Sequence, residues 1–287
     1  MFSGSGNASS NVAATARAVA ALPANMDVEF AQISDVGRVR TGNEDYLGSV
    51  QPGTPERVRS HGWLFAVADG VGGHDRGEVA SHTAIETIVE GFRGATAGES
   101  HSALLTRLIQ SANARVIDAG HVARVHMATT IVACALRFDR ATVAHAGDSR
   151  CYLIRRGQAT QLTRDHTLAG DQVRLGVLSA EEAESAETKH VLSRSLGGEL
   201  IVKPDVAEHQ VMAGDVLVLC SDGLHGAVRA GEIAMIVGAA EALDAAAQKL
   251  VEVANARDGS DNISAQIIRI RNVERVGMYR GRPYRLP

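Results

Sequence analysis

Hydrophobic residues along this chain follow two rhythms. Apolar or β-branched runs bounded by Gly, Asp or Asn occur in WLFAVADG (63–70), TTIVACALRF (129–138), ATVAHAG (141–147), RCYLIRRG (150–157), QATQLT (158–163), DVLVLCSDG (215–223) and SAQIIRI (264–270). Each reads as a strand, and RRGQA between two of them reads as a hairpin turn. Apolar residues three and four apart mark helices in EVASHTAIETIVEGF (78–92), SALLTRLIQSANARVIDAG (102–120) and EALDAAAQKLVEVANAR (241–257). Strands cluster and helices come in consecutive groups, so regular βαβ alternation is missing. The pattern predicts an α+β fold with largely antiparallel sheets, not a doubly wound parallel one.

Composition narrows the classes. The 287 residues, 45% hydrophobic and 22% charged, can bury one sizeable core. A net charge of −4 gives no indication of nucleic acid as a main partner. Cys134, Cys151 and Cys220 form no C-x-x-C pair, which argues against zinc or a disulfide framework and fits a reducing, cytoplasmic setting. No apolar run is long enough to suggest a membrane span. The Ala/Ser/Gly-rich residues 1–26 read as a flexible arm and the basic residues 273–287, with two tyrosines, as either a solvated tail or a docking segment for an acidic partner, leaving 27–272 as the folded domain.

The chemistry concentrates where strands end. Asp69-Gly70 closes an apolar strand and opens a glycine-rich turn, but neither a G-x-G-x-x-G nor a P-loop pattern follows. A carboxylate at that point would repel a phosphate unless a cation lay between them. Asp222-Gly223 repeats the plan, Asp258 and Asp261 precede a strand, Glu44 and Asp45 sit in a turn, and Asp148 leaves another strand. One Asp-Gly is ordinary turn chemistry. Several carboxylates converging on one sheet mouth would raise each other's pKa unless cations neutralised them. All-oxygen ligation without His or Cys points to Mg²⁺ or Mn²⁺, and two such ions could activate a shared water for in-line attack on phosphorus.

The ordered set Arg40-x3-Glu44-Asp45, Ala68-Asp69-Gly70 with Gly72-Gly73-His74, Ala146-Gly147-Asp148-Ser149-Arg150, Ser221-Asp222-Gly223 and Asp261-Asn262 resembles the metal-dependent PPM phosphatases, the protein phosphatase 2C-like Ser/Thr phosphatases, their bacterial branch especially. The resemblance runs over residues 28–271. It implies a four-layer αββα sandwich of two antiparallel sheets flanked by helices. It also implies hydrolysis of phosphoserine and phosphothreonine by a metal-bridging hydroxide, in opposition to a bacterial Ser/Thr kinase. Carried over by position, Asp69 bridges two ions, with Glu44 and the Gly70 carbonyl on one and Asp222 and Asp261 on the other. Asp45 lies beside these ligands, Asp148 joins Asp222 at a third site, and Arg40 binds phosphate. Residues 163–198 take the place of a mobile flap that selects substrate, in which EEAESAE (181–187) reads as a solvated helix face. Ala128-Thr129-Thr130 and Ser193–Gly197 depart from the commoner family residues in ways that read as packing changes. Val71 stands where some relatives have a histidine, and a turn-stabilising role suits His74 better than proton transfer.

Two rival readings compete. Cys134 to Arg140 has the C-x5-R spacing of cysteine-dependent phosphatases, yet the intervening ALRFD has no glycine to form a phosphate loop and continues a strand. A catalytically silent binding module would have lost a metal acid, and none is lost.

Overall fold

A computed structural model describes residues 26–71, 76–279 and 282–285. The arm over residues 1–25 and the Gly72-Gly73-His74 turn lie outside the described residues. The described chain begins with β1 (Asp27–Asp35), β2 (Asp45–Val50), a short α1 (Pro55–Ser60) and β3 (Trp63–Asp69). Two long helices, α2 (Gly77–Arg93) and α3 (His101–Ala123), precede β4 (Ile131–Arg137), β5 (Arg140–Ala146), β6 (Arg150–Arg155) and β7 (Gln158–Gln161). Then come α4 (Leu168–Arg174), α5 (Ala180–Ser185), β8 (Asp205–Gln210), β9 (Val216–Cys220), α6 (Asp222–His225), α7 (Ala230–Ala239), α8 (Leu243–Arg257) and β10 (Ile263–Asn272). A hairpin of β11 (Val276–Tyr279) and β12 (Arg282–Arg285) follows, so part of the expected tail is ordered β structure.

Two five-stranded sheets form, in the orders β1-β10-β9-β6-β7 and β2-β3-β4-β5-β8, with every pairing antiparallel. The period-2 geometry of a strand sends alternate residues of β3 into different layers. Trp63, Phe65 and Val67 enter the core between the sheets, while Leu64, Ala66 and Ala68 enter the core beneath α2 and α3. The helix-facing side of this sheet is rich in alanine, at Ala133, Ala135, Ala144 and Ala146 as well, so α2 and α3 can approach closely. Against the other sheet pack α7 and α8, through Ile233, Val237, Leu250 and Ala254. Three apolar interfaces therefore hold four layers, the αββα arrangement expected.

The hairpin expected at RRGQA joins β6 to β7, with Arg156 and Gly157 both at positive φ (53° and 77°), which gives the turn the twist its strands require. α3 starts at Ser100, whose hydroxyl accepts from the Ala103 amide, and ends on Arg124 at φ 56°.

Candidate active site

β2 and β3 pair antiparallel with Asp45 opposite Asp69, so the two carboxylates share one face at the open end of the sandwich. The other sheet brings Asp222 from the end of β9 and Asp261 from just before β10. Asp148 lies on the link from β5 to β6, where the chain passes from one sheet to the other.

Each acid is held by its backbone or by a neighbour. The Asp69 amide donates to Thr130 Oγ1 (3.0 Å), and its carbonyl accepts from Thr129 Oγ1 and from the Thr130 amide (both 2.8 Å). The two threonines that follow Ala128 thus clamp the strand end that carries Asp69. Gly70 donates its amide to the Glu44 carbonyl at 3.0 Å, and a Cβ there would stand 2.4 Å from the Gly77 carbonyl oxygen, so no side chain fits. Asn262 stitches the loops: its Oδ1 accepts from the Glu44 amide (2.8 Å), and its Nδ2 donates to the carbonyls of Val36 (2.8 Å) and Gly42 (3.0 Å). Ser221 Oγ donates to Asp45 Oδ2 at 2.8 Å and accepts from the Ser264 amide at 3.0 Å, joining the two sheets at the site.

The charges conflict strongly. Burial, reinforced by Asp45, Asp222, Asp148 and Asp261, pushes the Asp69 carboxyl well above the usual range. Burial pushes Asp45 up to about 7 against hydrogen bonds from Ser264 and Ser221, and Asp222 and Asp261 add repulsion. Asp148 is likewise raised to about 7 by burial and then by Asp222 and Asp165. Asp222 goes the other way: burial raises it, but the neighbouring imidazoles of His190, 3.6 Å away, and His225 outweigh that and lower it. Asp45 Oδ1 and Asp222 Oδ1 are buried with no hydrogen-bond partner. Unpaired buried carboxylate oxygens in a cluster of repelling acids are the donor set of a hard divalent cation, so the residues present fit such a group.

Arg40 stands at the rim, its Nη2 2.9 Å from Asp261 Oδ2 and its Nη1 3.7 Å from Glu44 Oε2. Opposite, His190 places Nδ1 3.6 Å from Asp222 Oδ2. The structure therefore brings together every acid proposed from sequence as a metal ligand, with Arg40 beside them. Asp258 stays apart at the C-terminal end of α8, accepting from Ser260 Oγ at 2.8 Å.

A sequence profile of the protein phosphatase 2C family matches residues 31–263. The chain belongs to that family. It is a metal-dependent serine/threonine protein phosphatase. The phosphatase is 33% identical over 262 residues to the serine/threonine phosphatase stp of Listeria innocua, covering 90% of this chain and 99% of that one. Among solved structures it resembles the Streptococcus agalactiae serine/threonine phosphatase, with a TM-score of 0.78, 31% identity and coverage of 85% of this chain and 100% of the other. It also resembles the catalytic domain of the phosphatase PstP in complex with two manganese ions, at a TM-score of 0.74 and 30% identity over 86% of this chain and 100% of the other.

Cys134 cannot serve this phosphatase as nucleophile. It is fully buried in β4 within the core between the sheets, and burial pushes its thiol up to about 12. Residues 163–198, expected to form a flap, contain α4 and α5, and the two ends of this segment are stitched together. Leu168 N donates to Val191 O (2.8 Å), Ser193 N donates to His166 O (2.9 Å), and His166 Nδ1 accepts from the Gly147 amide at 3.2 Å, next to Asp148. The predicted solvated helix face is α5, which begins in a capping box of Ser179 and Glu182. Sequence reasoning passed over Ser221 and His190. Ser221 precedes Asp222 as ordinary N-cap chemistry would, and nothing in the local pattern marks His190.

Proposed function

We propose that the phosphatase holds two Mn²⁺ or Mg²⁺ ions with Asp69 between them, Glu44 and the Gly70 carbonyl on one side, and Asp222 and Asp261 on the other. Asp45 acts beside these ligands, and Asp148 with Asp222 offers a weaker third position. The observation that carries the reading is the convergence of Asp45, Asp69, Asp148, Asp222 and Asp261 around Asp69, with two buried oxygens, on Asp45 and Asp222, lacking any partner. When bound, such ions supply a water acidic enough to attack phosphorus at neutral pH and offset phosphoryl charge.

The protein's own part is positional. Thr129, Thr130 and Asn262 fix the Asp69 and Glu44 backbones, so the carboxylates need not reorganise when substrate arrives. Arg40, which pairs with Asp261 and Glu44, would be free to offer its planar guanidinium to two phosphoryl oxygens if bound cations neutralised those acids. Residues 163–198 flank the cleft and bear on which phosphoprotein enters. The phosphatase acts in the cytoplasm against a Ser/Thr kinase. Three free, buried cysteines and the lack, among the described residues, of a helix long and apolar enough to cross a membrane support that setting.

The test is hydrolysis of a phosphothreonine peptide with Mn²⁺, with Mg²⁺ and with excess EDTA, alongside Asp69→Asn. Activity should require metal, and the variant should lose at least a hundredfold in kcat with its far-UV spectrum unchanged. Activity indifferent to EDTA, or near-normal turnover by the variant, overturns the assignment.

A further inference from the structure

We infer that Arg76 selects substrate by pairing its guanidinium with an acidic side chain within about three residues of the phosphorylated serine or threonine. The inference rests on the phosphatase site proposed above and adds to it a specificity residue and a sequence preference.

Arg76 suits the fold poorly where it stands. It is the residue before α2, with φ 79° and ψ 49°. A residue there ordinarily has extended backbone and a short polar side chain that caps the helix. Arg76 is left-handed instead, and its side chain makes no capping hydrogen bond. Glycine would take this conformation without steric cost. A cation at a helix N-terminus also opposes the helix dipole. The other non-glycine residues at positive φ among the described residues have local reasons for it: Arg124 ends α3, and Phe138 and Arg156 lie in the β4–β5 and β6–β7 turns. Arg76 is exposed and pairs with no carboxylate among the described residues. Its side chain therefore neither caps, pairs nor packs, and local rules broken in this way beside an active site mark a functional residue.

The cleft is next to it. A Cβ on the following residue, Gly77, would stand 3.0 Å from Glu44 Oε1 and 3.1 Å from the Gly70 carbonyl carbon. Consecutive Cα atoms are about 3.8 Å apart, so the Arg76 backbone begins within about 8 Å of the Glu44 carboxylate. Arg40 approaches the other oxygen of that carboxylate, Oε2, at 3.7 Å. Two arginines thus border one acid of the cleft, and they differ in commitment. Arg40 is also held by Asp261 at 2.9 Å, while Arg76 has no acid of its own among the described residues. An extended peptide advances about 3.3 Å per residue, so when its phosphorylated residue lies at the acid cluster its second or third neighbour comes opposite Arg76. An aspartate or glutamate there gains a guanidinium partner; a lysine or arginine meets a like charge.

The experiment compares kcat/KM of the full chain with Mn²⁺ on phosphothreonine peptides that carry Glu, Gln or Lys at the second and third positions on both sides. The proteins are wild type, Arg76→Gly and Arg76→Glu. Wild type should favour the Glu peptide over the Gln peptide about three- to fivefold, the range of an exposed charge pair, and high salt should remove the preference. Arg76→Gly should bring that ratio to one or below, with an equal or higher melting temperature because glycine relieves the left-handed backbone. Arg76→Glu should favour the Lys peptide. Equal rates on the Glu and Gln peptides in wild type, a Glu preference that survives in Arg76→Gly, or a marked fall in the melting temperature of that variant overturns the inference. Wild-type hydrolysis of p-nitrophenyl phosphate, which has no flanking residues, reports the metal site separately. With that hydrolysis intact, those outcomes leave the phosphatase site standing; its absence with Mn²⁺ overturns both.

Discussion

Asp45 illustrates what single residues in this protein endure. It is 6% exposed, one oxygen is tied to Ser221 and the other has no partner, and its carboxyl is pushed up to about 7 by burial. A buried acid in that condition costs stability until something cationic arrives. Arg40, 38% exposed at the rim, has the reverse problem, with a guanidinium that its acidic neighbours hold in place. Arg40→Ala should lower kcat/KM on a phosphothreonine peptide about 10- to 100-fold, the range of one or two charge-assisted hydrogen bonds, and Arg40→Lys should recover only part of it. Unchanged kcat/KM in Arg40→Ala would remove the residue from phosphate binding. Cys134→Ser should keep turnover within about twofold while lowering the melting temperature, because a hydroxyl replaces a thiol in an apolar core. A folded but inactive Cys134→Ser would reopen the thiolate route.

Elements end where the chemistry begins. Apolar strands were legible because β3, β4 and β9 are buried on both faces and carry unbroken hydrophobic runs. The edge strands β2 and β8 were not, since β2 carries Gly48 and Ser49 and β8, mostly polar, has no fully buried position to mark a face. α7 escaped because AGEIAMIVGA is apolar nearly all round and leaves Met235 exposed, so no clear stripe marks its buried face. The loops at these strand ends depend on Asn262. Asn262→Ala removes three hydrogen bonds to the backbones of Glu44, Val36 and Gly42. The expected cost is about 2–4 kcal/mol of stability, with weaker Mn²⁺ binding, because three hydrogen bonds worth about 1 kcal/mol each are lost from a buried side chain. Thermal denaturation and Mn²⁺ titration measure both; an unchanged melting temperature would show that the stitch bears no strain. Gly223 has the same dependence, since a Cβ there would stand 2.1 Å from the Asn262 carbonyl oxygen.

At the scale of the molecule, the site exists only because two sheets meet. Asp45 and Asp69 come from one sheet, Asp222 and Asp261 from the other, and Ser221 bonds across the gap. This arrangement links metal binding to pH. The folded pKa values of Asp45 and Asp148 lie near 7, above the ordinary 3.8, so both carboxyls hold protons in the metal-free fold between roughly pH 4 and 7. Their contribution to metal-free stability is therefore present at low pH and lost as pH rises through about 7. A cation must displace those protons, so apparent Mn²⁺ affinity should fall about tenfold per pH unit for each proton displaced as pH drops from 7 to 5.5. Calorimetric titration in buffers of different ionisation enthalpy should record the proton release. An affinity flat across that range would mean the acids are already ionised.

What the sequence by itself determined was the class of fold and the identity of the acids. Period-2 and period-3.6 patterns specify strands and helices locally, and Asp-Gly pairs at strand ends mark where chains turn. The ordered acids from Glu44 to Asp261 likewise gave the family before any coordinate. The tertiary structure decided which of those acids meet. Asp258 and Asp261 are three residues apart, and local turn chemistry does not separate them; the family resemblance singled out Asp261, and the fold shows why, since α8 ends at one and β10 begins beside the other. The supporting contacts were likewise invisible. Thr130 lies 61 residues from Asp69, Ser221 176 from Asp45 and Asn262 218 from Glu44. Such pairings depend on sheet register and on the packing of one sheet upon the other, which local periodicity does not encode.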